Sequence, residues 1–188
     1  MSFSILSLAA SRRRAASLLS ALALTLGLLT VLAAPGFAGG STSALQRCLT
    51  NAPPNQSETI AYNGGQPSGS FPSGTNPPNV ILPGDVVHVT ITGSVRFDLW
   101  GNTVGPDGTG TPAPSTGWPF PGKSKLRSIA NWNNNPGGWV GSPMQTTSLS
   151  RCTPAPSIPV RLLFGINDPE LWDNGGQWVI RTDVYWGP

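Results

Sequence analysis

The side chains most able to do chemistry are concentrated in a ten-residue segment near the C-terminus. Residues 167–176 carry three carboxylates, two asparagine amides and one tryptophan, namely Asp168, Glu170, Asp173, Asn167, Asn174 and Trp172. Hard oxygen ligands crowded on a short turn suit a calcium ion, which takes roughly six to eight of them. Asp168, Asp173 and Asn174 are therefore the predicted side-chain ligands of a metal.

Three side chains do not complete a calcium shell, so the remaining oxygens must come from other groups. The backbone carbonyl of Glu170 or Leu171 is one predicted source, and a carbonyl from another loop is a second. Water or a bound ligand would fill the remaining positions. The alternative interpretation of the same residues is an acidic, solvated turn held by Asx-type hydrogen bonds, which needs no metal.

Tryptophans on predicted loops offer flat apolar faces on which a sugar ring can stack. The loop tryptophans are Trp100, Trp118 and Trp172. Packing across the loops is the alternative for each of them. Trp178 alternates with polar residues and is predicted to be in the core, whereas Trp132 and Trp139 flank a turn and are predicted to pack rather than to bind.

The strands that hold the acidic loop show an apolar alternation with a period of two. One strand places Val160, Leu162, Phe164 and Ile166 on one face, and the next places Trp178, Ile180, Thr182 and Val184 on one face. This alternation predicts two half-buried strands joined as a hairpin. Further strands are predicted over residues 57–62, 86–92, 95–100, 125–132 and 139–141.

The composition favours an all-β fold. The chain contains 23 glycines and 20 prolines, and no segment shows a sustained helical period. Short strands joined by Gly, Pro and Asn turns are typical of a small antiparallel β-sandwich. The predicted organisation is a signal peptide over residues 1–38, an extended N-terminal segment over 39–56 and one sandwich domain over 57–188.

The N-terminus has the layout of a secretory signal peptide. Arginines at positions 12–14 precede an apolar run over residues 18–34, and small residues follow, with cleavage predicted after Ala38. The protein is therefore predicted to be secreted, to the periplasm or the extracellular space, with no membrane span in the mature chain. A retained N-terminal anchor helix is the alternative, and the paired arginines leave the twin-arginine route open beside the general one.

Charge and cysteine content narrow the possible partners. After residue 38 the chain keeps eight basic and eight acidic residues, so no basic surface is implied and nucleic acid is not a predicted partner. Cys48 and Cys152 are the two cysteines of the chain. In an exported protein an even pair predicts a disulfide, and two buried free thiols are the alternative.

The sequence does not predict an enzyme. His88 is the single histidine, and because it lies in mid-strand it is predicted to be an ordinary strand residue rather than a catalytic base. No cluster of His and Cys suits zinc or a redox metal. A hydrolase with paired carboxylates is a further alternative, and its candidate acids are Asp98, Asp107, Glu170 and Asp173.

Several short motifs, taken in order, resemble the bacterial calcium-dependent, galactose-binding lectins of the LecA (PA-IL) type and related galactose-binding-like jelly-roll domains. The motifs are Asn167-Asp168 and Asp173-Asn174-Gly175-Gly176 in the acidic loop, Pro83-Gly84-Asp85 at a strand opening, Gly105-Pro106-Asp107-Gly108 in a loop, and Leu126-Arg127-Ser128-Ile129 with Trp139-Val140-Gly141 in paired strands. Together they extend over residues 57–186.

The resemblance implies a jelly-roll β-sandwich in which calcium bridges two loops. The side chains that match the metal ligands of the family are Asp168, Asp173 and Asn174. A carbonyl near Phe97 or Asp98 would supply the ligand from the second loop. Sugar hydroxyls would meet Asp173 and the backbone at Pro169.

We therefore expect a secreted, calcium-dependent, lectin-like protein whose partner is a carbohydrate or glycan. The candidate ligand-binding residues are Asp173, Pro169, Trp172 and Trp100. The alternative is a secreted structural or protein-interaction β-sandwich in which calcium is a loop staple or absent. Both a monomer and an oligomer are compatible with the sequence.

Overall fold

The protein is described by a computed structural model over residues 42–188, and the predicted signal peptide over 1–38 lies outside this range. The described chain begins with helix α1 and continues as a series of strands with a 3₁₀ helix before β7. The elements are α1 (Ala44–Leu49), β1 (Gln56–Asn63), β2 (Gly69–Phe71), β3 (Val86–Arg96), β4 (Thr103–Val104), β5 (Ser128–Asn134), β6 (Gly138–Gln145), the 3₁₀ helix (Thr146–Arg151), β7 (Thr153–Pro154), β8 (Arg161–Ile166) and β9 (Gly175–Tyr185).

The strands form two antiparallel sheets. One sheet runs in the order β1-β9-β3-β4, with β7 also paired to β3, and the other runs in the order β2-β8-β5-β6. The β8–β9 connection, which is the acidic loop, therefore passes from one sheet to the other. The prediction of an all-β sandwich is confirmed.

The core lies between the sheets and is built from the inward-facing residues of each strand. Phe164 of β8 and Trp178 of β9 are 1% and 0% exposed, which confirms the alternation predicted for these strands. Trp178 stacks on Tyr62 of β1, with the ring centroids 5.8 Å apart. Burial of a phenylalanine side chain is worth about 1.5–3 kcal/mol, so both strands that flank the acidic loop are firmly anchored.

Strand β3 differs from its prediction at both its middle and its end. The two segments predicted separately over 86–92 and 95–100 form one strand as far as Arg96, because β9 pairs with β3 along its whole length. The predicted strand over 95–100 is wrong beyond Arg96. The chain turns there because the Asp98 carboxylate accepts hydrogen bonds from the backbone N–H groups of Trp100, at 3.1 Å, and Asn102, at 2.9 Å.

The boundaries of β5 and β6 also differ from their predictions. Strand β5 begins at Ser128 rather than at residue 125, because Leu126 has a φ of 61° and its N–H donates to the carbonyl of Asn167 at 2.8 Å. Strand β6 extends to Gln145, which pairs with Ile129 beyond a bulge in the ladder.

The N-terminal segment over 39–56, predicted to be extended, contains helix α1. The helix forms because the Ser43 hydroxyl accepts a hydrogen bond from the Gln46 N–H at 3.1 Å and so caps its first turn. Cys48 in this helix is bonded to Cys152, with the Cα atoms 5.9 Å apart, and the predicted disulfide is confirmed. Within residues 42–188, neither helix has the length and apolar content needed to cross a membrane.

Candidate functional site

The acidic loop between β8 and β9 lies at one end of the sandwich, beside two other connections. Gly175 at the start of β9 is opposite Arg96 at the end of β3. On the other side, Gln177 is opposite Asn63 at the end of β1. The end of β3, predicted to be the second half of the site, is therefore next to the loop, and the end of β1 is an additional neighbour.

Asp168 and Asn174 come together within the loop. Asp168 is 6% exposed, and its two carboxylate oxygens accept hydrogen bonds from the Glu170 N–H at 3.0 Å and the Asn174 amide nitrogen at 2.9 Å. The same amide nitrogen donates to the carbonyl of Gly64, after β1, at 3.2 Å. These contacts connect both ends of the loop to the β1–β2 connection.

Two acceptor oxygens of the acidic loop are buried without a hydrogen-bond partner in the described chain. They are Oδ1 of Asp173 and Oδ1 of Asn174, which lie on consecutive residues. Buried polar atoms in folded proteins are nearly always hydrogen-bonded, so two adjacent orphans require an explanation. Because both are oxygen acceptors in the loop that also holds the buried Asp168 carboxylate, a cation is a chemically suitable partner.

The other predicted metal residues contribute less. The Glu170 side chain is exposed, and the residue offers its N–H to Asp168 rather than its carboxylate. Phe97 packs against the core, and its N–H donates to the Asn102 carbonyl at 3.0 Å. No three His, Cys, Asp or Glu side chains of residues 42–188 are grouped so that they could hold a metal ion. A cation here would therefore depend on the Asn174 amide oxygen and on backbone carbonyls.

Tyr62 forms the inner border of the site. Burial raises the pKa of its phenol well above the usual value, and the neighbouring Asp168 carboxylate raises this pKa further. The phenol is therefore a neutral donor, and it donates to the Gln66 carbonyl at 2.7 Å. This bond fixes the β1–β2 connection against the core beneath the acidic loop.

Asn167 holds a neighbouring loop in place, a role that the sequence did not predict. The residue is completely buried, and its amide oxygen accepts the Phe120 N–H at 2.9 Å. Its amide nitrogen lies 3.0 Å from the carbonyl of Phe120, 3.3 Å from that of Lys123 and 3.1 Å from that of Ser124. Asn167 thus holds the loop over residues 118–124 to the end of β8. Its position directly after a buried strand was the one available signal.

The loop tryptophans differ in their surroundings. Trp100 and Trp172 are 87% and 73% exposed, so their faces are free to contact a ligand. Trp118 packs against the core beneath the Lys125 amine, which lies 5.4 Å from its ring centroid. Trp139 was predicted to pack, and this prediction is wrong, because 63% of the residue is exposed.

The turn after β3, beside the site, lowers the pKa of the Asp98 carboxyl, and this effect can be tested. The Asn102 side-chain amide, 2.6 Å from the Asp98 carboxylate, is the main reason that the pKa of Asp98 lies below its usual value. Because the pKa of Asp98 is lower in the folded than in the unfolded state, ionisation of this carboxyl stabilises the folded protein. This stabilisation is present above the unfolded pKa of about 3.9 and is lost as the pH falls through the folded pKa.

We expect Asn102→Ala to raise the pKa of Asp98 in an NMR titration of its carboxyl carbon. An unchanged Asp98 pKa would contradict this account, and Asn63→Ala is the control.

His88 lies in a polar row on the outer face of the five-stranded sheet. The register places Ser57, Asp183 and His88 side by side on β1, β9 and β3. The Ser57 hydroxyl donates to the Asp183 carboxylate, and His88 Nδ1 lies 3.8 Å from the other oxygen of that carboxylate. The carboxylate thus separates the hydroxyl from the imidazole, whereas a nucleophile must contact its base directly.

Comparison with known proteins does not assign the chain to a family. No protein-family model matches the chain, and no curated protein matches it. The functional interpretation therefore depends on the geometry of the site.

Proposed function

We propose that the protein is a secreted, calcium-dependent carbohydrate-binding protein whose metal site is the acidic β8–β9 loop. The observation that carries the proposal is the pair of buried, unpartnered oxygens of Asp173 and Asn174, in the same loop as Asp168 and with Asn174 hydrogen-bonded to it. Export is supported by the signal-peptide layout of residues 1–38 and by the disulfide, which is typical of oxidising compartments.

The residues present fit a calcium ion. Asp173 and Asn174 each have one free buried oxygen, and a carboxylate has about four acceptor positions, so Asp168 can bind a cation while keeping its two hydrogen bonds. Calcium takes carboxylate, amide and carbonyl oxygens in flexible geometry. Bound there, calcium would supply open coordination positions for vicinal sugar hydroxyls, with the second-loop carbonyl near Phe97 as a further ligand.

The surface around the loop suits a sugar. Trp172 belongs to the loop itself, and Trp100 lies on the turn after β3, four residues beyond the Arg96–Gly175 pair. Both rings are largely exposed, and such rings provide stacking faces for the apolar side of a pyranose. Asp173 and the backbone at Pro169 would meet the hydroxyls.

A second candidate function follows from the hydrogen bonds that already close the loop. Asp168, Asn174 and Gly64 are connected without any metal. A secreted structural or protein-interaction domain, with calcium as a loop staple or absent, would use this closed arrangement. The two candidates differ in whether glycan binding follows calcium.

Calcium titration by calorimetry tests the metal site. We expect saturable binding to the wild-type protein, and a loss of roughly tenfold or more in affinity for Asp168→Asn and Asn174→Leu, since even groups outside the coordination shell are worth 10–100-fold. Glu58→Gln is the matched control, because it removes one carboxylate charge from β1, five residues away from Asn63. Equal calcium affinity in all variants would overturn the site.

A glycan array read with calcium and with a chelator separates the two candidates. Glycan signal that disappears with the chelator supports the lectin. Calcium binding without any glycan signal supports the structural domain and refutes the carbohydrate proposal.

A further inference from the structure

A cavity of about 190 Å³ lies on the outer face of the four-stranded sheet. Its lining includes Pro67, Pro119, Phe120, Asn131, Trp139 and Leu163. Leu163 and Asn131 are opposite each other on β8 and β5 and alternate with the core residues of these strands. Residues 119–120 form one wall of the cavity, and they belong to the loop that Asn167 holds by hydrogen bonds.

The floor of this cleft contains a side-chain amide that has no hydrogen-bond partner among the described residues. Asn131 is 4% exposed, and its side-chain amide makes no hydrogen bond to any residue within 42–188. The neighbouring Asn133, by contrast, accepts a hydrogen bond from Arg161 at 2.8 Å. An unpaired primary amide offers two donors and one acceptor to whatever enters the cleft.

The chemistry of the cleft restricts its ligand. The walls are apolar apart from Asn131 and the edge of Asp168, whose two oxygens accept hydrogen bonds from within the acidic loop. Hydroxyls buried against such walls would lose their hydrogen bonds, at a cost. A suitable ligand therefore buries one planar amide together with a small apolar group. The volume is below the roughly 300–1,000 Å³ of pockets for drug-sized ligands, so one substituent or one ring is its natural occupant.

We propose that this cleft binds the acetamido group of an N-acetylated hexosamine. The acetamido N–H and C=O pair with the Asn131 amide, the methyl group contacts Phe120 and Leu163, and the sugar ring lies against exposed Trp139. The inference rests on the proposed carbohydrate function and adds a class of sugar to it. Because Asp168 borders both the cleft and the calcium loop, one glycan can span the two sites.

Titration with N-acetylglucosamine, followed by ¹H–¹⁵N NMR of the full mature chain, tests the inference. We expect saturable shifts at Asn131 and at the Trp139 indole, no such shifts with glucose or glucosamine, and persistence of the shifts in a calcium chelator. Asn131→Leu should weaken binding about tenfold or more, the equivalent of one buried hydrogen-bonding pair. Its melting temperature should not fall, because no internal hydrogen bond is removed.

Trp139→Ala should also weaken binding, whereas Trp186→Ala, a partly exposed tryptophan at the C-terminus, is the matched control. No saturable shift with N-acetylglucosamine, equal shifts with glucose, or full affinity in Asn131→Leu would each overturn the inference. A failure of the calcium proposal is distinguishable, since it would remove calcium binding and leave these chelator-resistant shifts unchanged.

Discussion

Removal of the Cys48–Cys152 disulfide is expected to lower the free energy of unfolding by about 4–5 kcal/mol. The two cysteines are 104 residues apart, so the cross-link closes a long loop and restricts the unfolded chain strongly. It also fixes α1, whose buried face consists of Ala44 and Cys48 packed with Val86 and Tyr185. A six-residue helix with so little buried surface is only marginally stable by itself.

The double variant Cys48→Ala/Cys152→Ala, unfolded in urea and followed by tryptophan fluorescence, measures this effect. Arg47→Ala is the control, because it removes the hydrogen bonds from α1 to Asn55 and to the Trp186 carbonyl while keeping the disulfide. We expect Arg47→Ala to lower the free energy of unfolding by about 1 kcal/mol, because the two lost contacts are exposed. A double variant that loses no more than Arg47→Ala would contradict the chain-entropy explanation.

Asn167→Ala is expected to lower the free energy of unfolding by about 3 kcal/mol. The substitution leaves the Phe120 N–H and the Ser124 carbonyl without their buried partner. The carbonyls of Phe120 and Lys123 also lose Asn167 but keep the backbone N–H groups of Lys123 and Ala113. Each unsatisfied buried group costs about 1–3 kcal/mol, and the total falls below the sum because the exposed parts of the loop regain water.

Hydrogen exchange identifies the cause of that loss. The Phe120 amide should exchange faster in Asn167→Ala, whereas the Lys125 amide, bonded to the Thr111 carbonyl, should keep its protection. Asn63→Ala is the matched control, since its exposed amide accepts a single hydrogen bond from Gly65. Unchanged protection at Phe120 would show that Asn167 does not hold the loop.

The sheets were predictable from sequence wherever one face of a strand is buried. Burial alternates along β8 and over residues 177–182 of β9, because each strand has one face on the core there. The end of β3 was predicted incorrectly, because Phe97 and Leu99 continue an apolar alternation that the Asp98 carboxylate interrupts by bonding to the backbone. A local side-chain hydrogen bond of this kind overrides periodicity.

The candidate site was predictable only in part, for a different reason. Asp168 and Asn174 are close in sequence, so their proximity could be inferred from one loop. The contacts of Asn167 with residues 120–124 and of Asn174 with Gly64 connect segments 43 to 110 positions apart. The cleft around Asn131 is formed by segments equally remote in sequence, and no short motif records their arrangement.

The position of β9 also has a kinetic consequence. Strand β9 lies between β3 and β1, which is the first strand of residues 42–188. The five-stranded sheet therefore cannot close until residues 175–185 have left the ribosome. Before then β1 and β3 have no common partner, and pairing at such long sequence separation is intrinsically slow. The sandwich is therefore complete only after its final strand has been added.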